Sequence, residues 1–287
     1  MKPVLTIAGS DSGGGAGIQA DLKTMEAFGC YGMSVITAVT AQNTRQVWAV
    51  RELEAQVVEQ QLQAVLSDIT PQAVKIGMVY TAENVEVIVR ALERWPHGPV
   101  VLDPVLVSTS GRALIRREAA EALERLLFPL SDVLTPNLPE AERLLQRCRE
   151  GNAERQPGEP EREDWGSLQP WTDRQMEQAA VALNERYKTA ILLKGGHRAG
   201  DASDVLCEDG KLSWFRGERI LDRKGSHGTG CTLSTAITCG LAEGRTLKDS
   251  VEKARSYLEG ALRAAPGLGQ GNGPLCHGWR SLEEHVI

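Results

Sequence analysis

Short β-branched runs alternate along this chain with longer stretches in which apolar residues recur at helical spacing. Residues 3–8 (PVLTIA) and 31–41 (YGMSVITAVTA) predict buried strands, with a helix over 17–28 between them. Over 53–69, Val57, Leu62, Val65, Leu66 and Ile69 fall near helical spacing. Further strands are predicted at 73–77, 100–103, 132–135 and 190–194, and helices at 83–95, 117–127, 138–147 and 173–187. This is the βαβ rhythm of a mostly parallel sheet covered by helices on both faces, an α/β protein of three αβα layers. Residues 205–215, turning at Asp209-Gly210, predict a hairpin near one edge. Two helices, 228–243 and 247–264, precede an irregular glycine-rich tail.

Composition narrows the picture. The chain has 287 residues, 41% of them hydrophobic, enough for a full core and too apolar for a wholly disordered protein. A formal net charge of −6 lacks the basic field that would neutralise a nucleic-acid backbone, although a local site can still oppose the global sign. No run approaches the ~18 apolar residues of a membrane span, and strand-like sequence begins at Pro3, which leaves no room for a signal peptide. A soluble, cytoplasmic protein is expected. Six cysteines form no CxxC pair, and Cys276 beside His277 lacks two further ligands at zinc-site spacing. One segment breaks the rhythm: 149–170 holds nine charged residues and only Trp165 and Leu168 as large apolar ones. It reads as a solvated loop, or as a lid, inserted into a single domain spanning 1–287.

Two stretches carry candidate chemistry. The first, GSDSGGGAG at 9–17, places five glycines between a strand and a helix, where the backbone can approach a ligand closely. It is not a P-loop, since no Gly-Lys-Ser/Thr follows. A GxGxxA match at Gly15, Gly17 and Ala20 lacks the acidic residue about 20 positions on that would hold a dinucleotide's ribose. A merely flexible turn is the plainer alternative. The second, KGSHGTGCTL at 224–233, opens the predicted helix at 228, so that successive amides and the helix dipole form an anion cradle. Cys231 in its first turn is expected to feel the same field, its pKa falling below the free value of about 8.5. A Cys231/His227 nucleophile pair and a small buried thiol are the alternatives.

AGSDSGGGAGIQADLKT (8–24), VTAQNT (39–44), KIGM (75–78), LDPV (102–105), TPNLPEA (135–141), LLKGGH (192–197) and SHGTGCTLSTAI (226–237) follow one another in order. Together they resemble the hydroxymethylpyrimidine/phosphomethylpyrimidine kinases of the ribokinase-like superfamily, from Val4 to about Trp279, lapsing only at 149–170. Pyridoxal kinases share much of the set. The resemblance implies ATP-dependent phosphorylation of an aminopyrimidine alcohol and then of its monophosphate, in thiamine synthesis. It implies that Gln42, whose amide carries a donor beside an acceptor, pairs with the pyrimidine edge. Gly9 and Asp21 join it as substrate contacts, with Met78 and Val105 as walls of the ring pocket. Asp103 and Glu140 are implied near Mg²⁺, directly or through water, and Asn137, Lys194 and Thr229 at ATP phosphates. The amides of Gly228, Thr229, Gly230 and Cys231 hold the transferring group, and Cys231 takes or relays the hydroxyl proton. A homodimer is expected, as relatives are commonly dimers. Pyridoxal kinase activity is the near rival, and a non-catalytic sensor or a nicotinamide oxidoreductase the distant ones.

Overall fold

The computed structural model describes residues 1–105, 115–196 without 151–170, 198, 201–220 and 225–283. The chain partitions into two compact units, Met1–Asp132 with Ile220–Ile287, and Val133–Arg219. The segment 149–170, read above as a loop in one domain, lies almost wholly outside the described residues.

The first unit begins with β1 (Lys2–Asp11), α1 (Gly17–Ala27), β2 (Cys30–Gln42), β3 (Val47–Glu52), α2 (Ala55–Leu66), β4 (Ala73–Ile76), α3 (Ala82–Arg94), β5 (Val100–Leu102) and α4 (Arg117–Ala122). The second holds β6 (Val133–Leu134), α5 (Leu138–Glu150), α6 (Asp173–Tyr187), β7 (Ala190–Leu193), β8 (Asp204–Glu208) and β9 (Lys211–Phe215). The chain then returns to the first unit as α7 (Thr229–Ala242), α8 (Leu247–Arg263) and α9 (Trp279–Glu283).

In the first unit the strands run β3-β2-β1-β4-β5, parallel except for β3, which pairs antiparallel with β2. β1 and β4 are buried almost throughout, as parallel strands covered on both faces must be. Thr6 and Lys75 are register partners and so share one face, the face of α1 and α7; Leu5 and Ile7 lie to either side in the core. In the second unit β6 and β7 are parallel, and β8 and β9 continue antiparallel. The predicted hairpin turn is present, with both Asp209 and Gly210 at positive φ (49° and 74°), the conformation that favours Asp-Gly.

Two short elements escaped the pattern. β3 (VWAVRE) carries no apolar run to mark it, because it is a half-exposed strand with Trp48 and Arg51 open to solvent. α9, five residues inside the tail read as irregular, is too short to show a period. The predicted helix 117–127 holds as α4 for six residues and then widens to a π turn, Leu123–Leu127, before Pro129.

Candidate active site

Asp11, the last residue of β1, organises the first glycine loop. Its carboxylate accepts N–H groups from Gly13 (2.8 Å), Gly15 (3.1 Å) and Ala16 (2.8 Å) and meets His227 Nε2 at 2.9 Å. Burial alone would raise its pKa, but the His227 bond and the backbone donors outweigh that and hold it below the ordinary carboxylate value. The loop is therefore tied down by its own anion. Three amides that the sequence suggested for a ligand are turned inward.

The second glycine stretch meets the first. Gly228 adopts φ 85°, and a Cβ there would lie 1.8 Å from the Gly15 carbonyl oxygen, so only glycine lets the two backbones approach this closely. Gly228 is the N-cap of α7, whose first backbone bond runs from Thr232 N–H to Gly228 O at 2.9 Å. The N–H groups of Thr229, Gly230 and Cys231 precede that bond and have no acceptor within the helix. They form the half-buried positive end of an apolar, almost wholly buried helix.

Cys231 sits where two helix starts converge, with the N–H of Gly17, first residue of α1, directed at its sulfur. The expected fall in pKa is not what results. Burial pushes the thiol up, and the charges of Asp21 and Asp103 add to it, against the opposing pull of Lys75 and the Gly17 amide. The helix field is present but is outweighed, so the resting side chain is a thiol.

Asp21 and Lys75, from α1 and β4, are both fully buried and pair at 2.9 Å. Asp21 also accepts from Thr6 (2.6 Å) and from Thr235 of α7 (2.8 Å). The side chain expected to touch substrate thus has both oxygens engaged inside the protein. The burial of Lys75 is invisible in sequence, because a lysine in a four-residue strand reads as an exposed position.

Gln42 closes β2 as expected, half-buried, with its side-chain amide 3.0 Å from His227 Nε2 and 3.3 Å from Thr40 Oγ1. The shared nitrogen fixes the chemistry: a carboxylate only accepts, so His227 Nε2 carries the proton it gives to Asp11. As placed, Gln42 Nε2 faces His227 and Gln42 Oε1 faces Thr40; a half-turn of the amide brings its oxygen to the His227 N–H and its NH₂ to Thr40, whose hydroxyl donates to Ser10 O at 3.0 Å. His227 bonds Asp11 and Gln42 rather than Cys231, so the Cys/His pair finds no support. The packing of its ring on Gly15, where a Cβ would come within 2.5 Å, gives sequence no signal.

Met78 packs with Ala38, and Val50, Tyr80 and Val105 lie against them. A Cβ on Gly9 would meet the Met78 methyl at 2.3 Å. The structure thus gathers Gly9, Met78 and Val105 along one apolar wall. Asp103 follows β5 and is buried, its N–H bonded to Ile76 O.

In the second unit Asn137 caps α5. Its side-chain oxygen accepts the Glu140 N–H at 2.9 Å while Glu140 Oε2 accepts the Asn137 N–H at 2.8 Å, a reciprocal capping pair. Asn137 also bridges to Lys194 just beyond β7. Asn137, Glu140 and Lys194 are therefore brought together at the carboxyl ends of β6 and β7, where ligands of open α/β sheets bind. Among the described residues no group of three or more His, Cys, Asp or Glu side chains could hold a metal alone.

Comparison with known proteins gives this geometry a family. A family model described as phosphomethylpyrimidine kinase matches residues 11–276. The hydroxymethylpyrimidine/phosphomethylpyrimidine kinase of Streptomyces coelicolor is 45% identical over 276 residues, 96% of this chain and 94% of that protein. Among solved structures, the phosphomethylpyrimidine kinase of Clostridium difficile 630 superposes with a TM-score of 0.73 at 39% identity, covering 90% of this chain and 98% of its own. A Bacillus subtilis pyridoxal kinase solved as an ADP complex gives a TM-score of 0.81 at 31% identity, over 98% of this chain and 99% of that one. Two glycine stretches joined backbone to backbone, a buried charge pair beneath them and near full-length agreement with these relatives lead to one assignment: the chain belongs to the phosphomethylpyrimidine kinase family.

Proposed function

We propose that the protein transfers the γ-phosphoryl group of ATP to the hydroxymethyl oxygen of 4-amino-5-hydroxymethyl-2-methylpyrimidine, then phosphorylates the monophosphate at the same site, a step of thiamine biosynthesis. The observation that carries this reading is the contact of Gly228 with Gly15, which sets the three opening amides of α7 and Cys231 beside the first loop. Phosphoryl transfer is mostly positioning and charge stabilisation, and these groups supply both. Gln42 meets the aminopyrimidine edge with its remaining donor and acceptor positions, and Gly9, Met78 and Val105 flank the ring. The Thr229, Gly230 and Cys231 N–H groups, with Gly228 shaping the turn, hold the transferring PO₃. The substrate oxygen bonds to phosphorus as the bond to the β,γ-bridging oxygen breaks, ADP leaves with that electron pair, and the thiolate form of Cys231 takes the hydroxyl proton. Asn137 and Lys194 serve ATP phosphates.

Mg²⁺ prefers a few hard oxygen ligands completed by water and substrate phosphates, and carboxylates are the donors it takes from a protein. Asp103 and Glu140 would each be a candidate carboxylate for it, and the ion would neutralise charge on the phosphates. The five described cysteines are free thiols, in keeping with work in the cytoplasm, and no helix among the described residues is long and apolar enough to cross a membrane. Trp48, 66% exposed on the edge strand β3, is the apolar side chain that a second copy would cover in a homodimer.

Similarity to the pyridoxal kinase supports a second activity on pyridoxal. ADP release measured in parallel with the hydroxymethylpyrimidine, its monophosphate and pyridoxal tests both. The pyrimidines are expected to turn over faster; a tenfold preference for pyridoxal would reverse the assignment.

A further inference from the structure

The main chain of Gln42 is pinned to the first glycine loop: its N–H donates to Ser12 Oγ at 2.9 Å, and its carbonyl accepts from that hydroxyl at 2.8 Å. The main chain of His227 is pinned to the tail, with its N–H donating to Gly273 O at 3.1 Å and a bridge to Pro274. The same tail segment reaches the loop after β2, where Asn272 N–H donates to Thr44 O (2.9 Å) and Gly271 N–H to Thr44 Oγ1 (3.3 Å). Residues 271–274 thus brace both sides of one contact, the Gln42 amide against the ring of His227 at 3.0 Å. That ring is buried and seated on Gly15, where a Cβ would leave it no room. Rotation of the amide about its last bond is the freedom left at this contact.

Two neighbours set that rotation in the same sense. Asp11, whose oxygens already take three backbone N–H groups of the first loop, only accepts, and so requires the proton on His227 Nε2. That N–H also faces Gln42, where an amide oxygen fits and an NH₂ does not. On the other side Thr40 directs its one hydroxyl proton to Ser10 O at 3.0 Å and offers the amide a lone pair from 3.3 Å, where an NH₂ fits. We propose that His227 is a positioning residue: oriented by Asp11 and braced by the tail, it locks the Gln42 amide with its oxygen toward the imidazole, and so makes the site select a ring in which an amino group stands beside a ring nitrogen. This rests on the kinase reading, in which Gln42 meets the pyrimidine edge. A ring with an oxo group beside a ring N–H presents the same two positions with donor and acceptor exchanged. An amide free to turn would pair with either ring, whereas a locked one sets donor against donor and acceptor against acceptor on the oxo ring.

The ratio of kcat/KM for 4-amino-5-hydroxymethyl-2-methylpyrimidine to that for its 4-oxo counterpart reads the lock. His227→Met removes the N–H donor in a side chain of similar bulk, and Asp11→Asn removes the demand for a proton on Nε2. Each is expected to lower the ratio about tenfold or more, because the oxo ring then finds a partner in the turned amide. A loosened core would slow both rings alike and leave the ratio where it was. His227→Gln, whose NH₂ can donate to Asp11 and to Gln42 together, should hold the ratio within about threefold of wild type. An unchanged ratio in folded His227→Met, or a wild-type chain that favours the oxo ring, would overturn the proposal. A second measurement asks nothing of those variants: long-range ¹H–¹⁵N spectra of the wild-type chain labelled in histidine, the His227 signals assigned by their absence from His227→Gln. A proton on Nε2 is expected, and a bare Nε2 would overturn the proposal whatever the ratios. A wild-type chain with Nε2 protonated that phosphorylates neither ring would sink the kinase reading and leave the lock on Gln42 standing.

Discussion

At the scale of single residues, Cys231 and Asp11 show how local charge decides protonation. A thiol raised by burial and by two carboxylates is protonated at neutral pH, and its thiolate fraction grows tenfold per pH unit below its pKa. Activity limited by chemistry should therefore climb with pH and level off above the ordinary thiol range. Cys231→Ala should lower kcat by roughly 10²-fold or more and flatten that climb; turnover within a few fold of wild type would leave only the amide cradle. Asp11 behaves oppositely. Its carboxylate is stabilised in the fold, so its contribution is complete above the ordinary carboxylate value and is lost as pH falls through its lowered one. Asp11→Asn should cost about 2 kcal/mol at neutral pH, the scale of hydrogen bonds to a charged group. Denaturant melts at descending pH should show the two proteins converging.

At the scale of elements, the contact of two glycine turns and the cap of α5 carry the weight. Gly228→Ala would bring a methyl against the Gly15 carbonyl in a left-handed conformation, at roughly 2–5 kcal/mol. A fall in Tm together with lost turnover is expected, and an unchanged Tm would contradict the close approach. Glycine clustering before two helices made both turns legible in sequence. What a one-dimensional pattern could not reveal was that the turns touch, since Gly15 and Gly228 are separated by most of the chain. The same holds for Asp21. Its helical position was legible, but its partners Thr6, Lys75 and Thr235 come from three other elements. Asn137 and Glu140, three residues apart at a predicted helix start, formed the one site feature whose local geometry could be anticipated, because capping acts within a single turn. β3 stayed hidden because an exposed edge strand owes its existence to the strand beside it.

At the scale of the whole molecule, one buried histidine ties acid stability to the tail. His277 accepts or shares a hydrogen with Thr232 of α7 at 3.0 Å, and its carbonyl receives the Tyr257 hydroxyl at 2.8 Å. Burial, with Lys23 adding to it, lowers its pKa to about 4 from an ordinary value near 6.5. The unfolded chain binds a proton there first as pH drops, so stability is full above about 6.5 and declines until about 4, by about 3 kcal/mol. His277→Gln should make the slope of unfolding free energy over that interval shallower; an identical slope would remove this residue from the account. Trp48, on the outermost strand of the first unit, has an optical consequence. Its water-facing indole should emit at long wavelength, and would shift toward the blue were a second copy to cover it. The concentration dependence of fluorescence, with Trp48→Phe as the blank, therefore tests the proposed homodimer at this edge: a constant spectrum would remove the edge from any dimer contact.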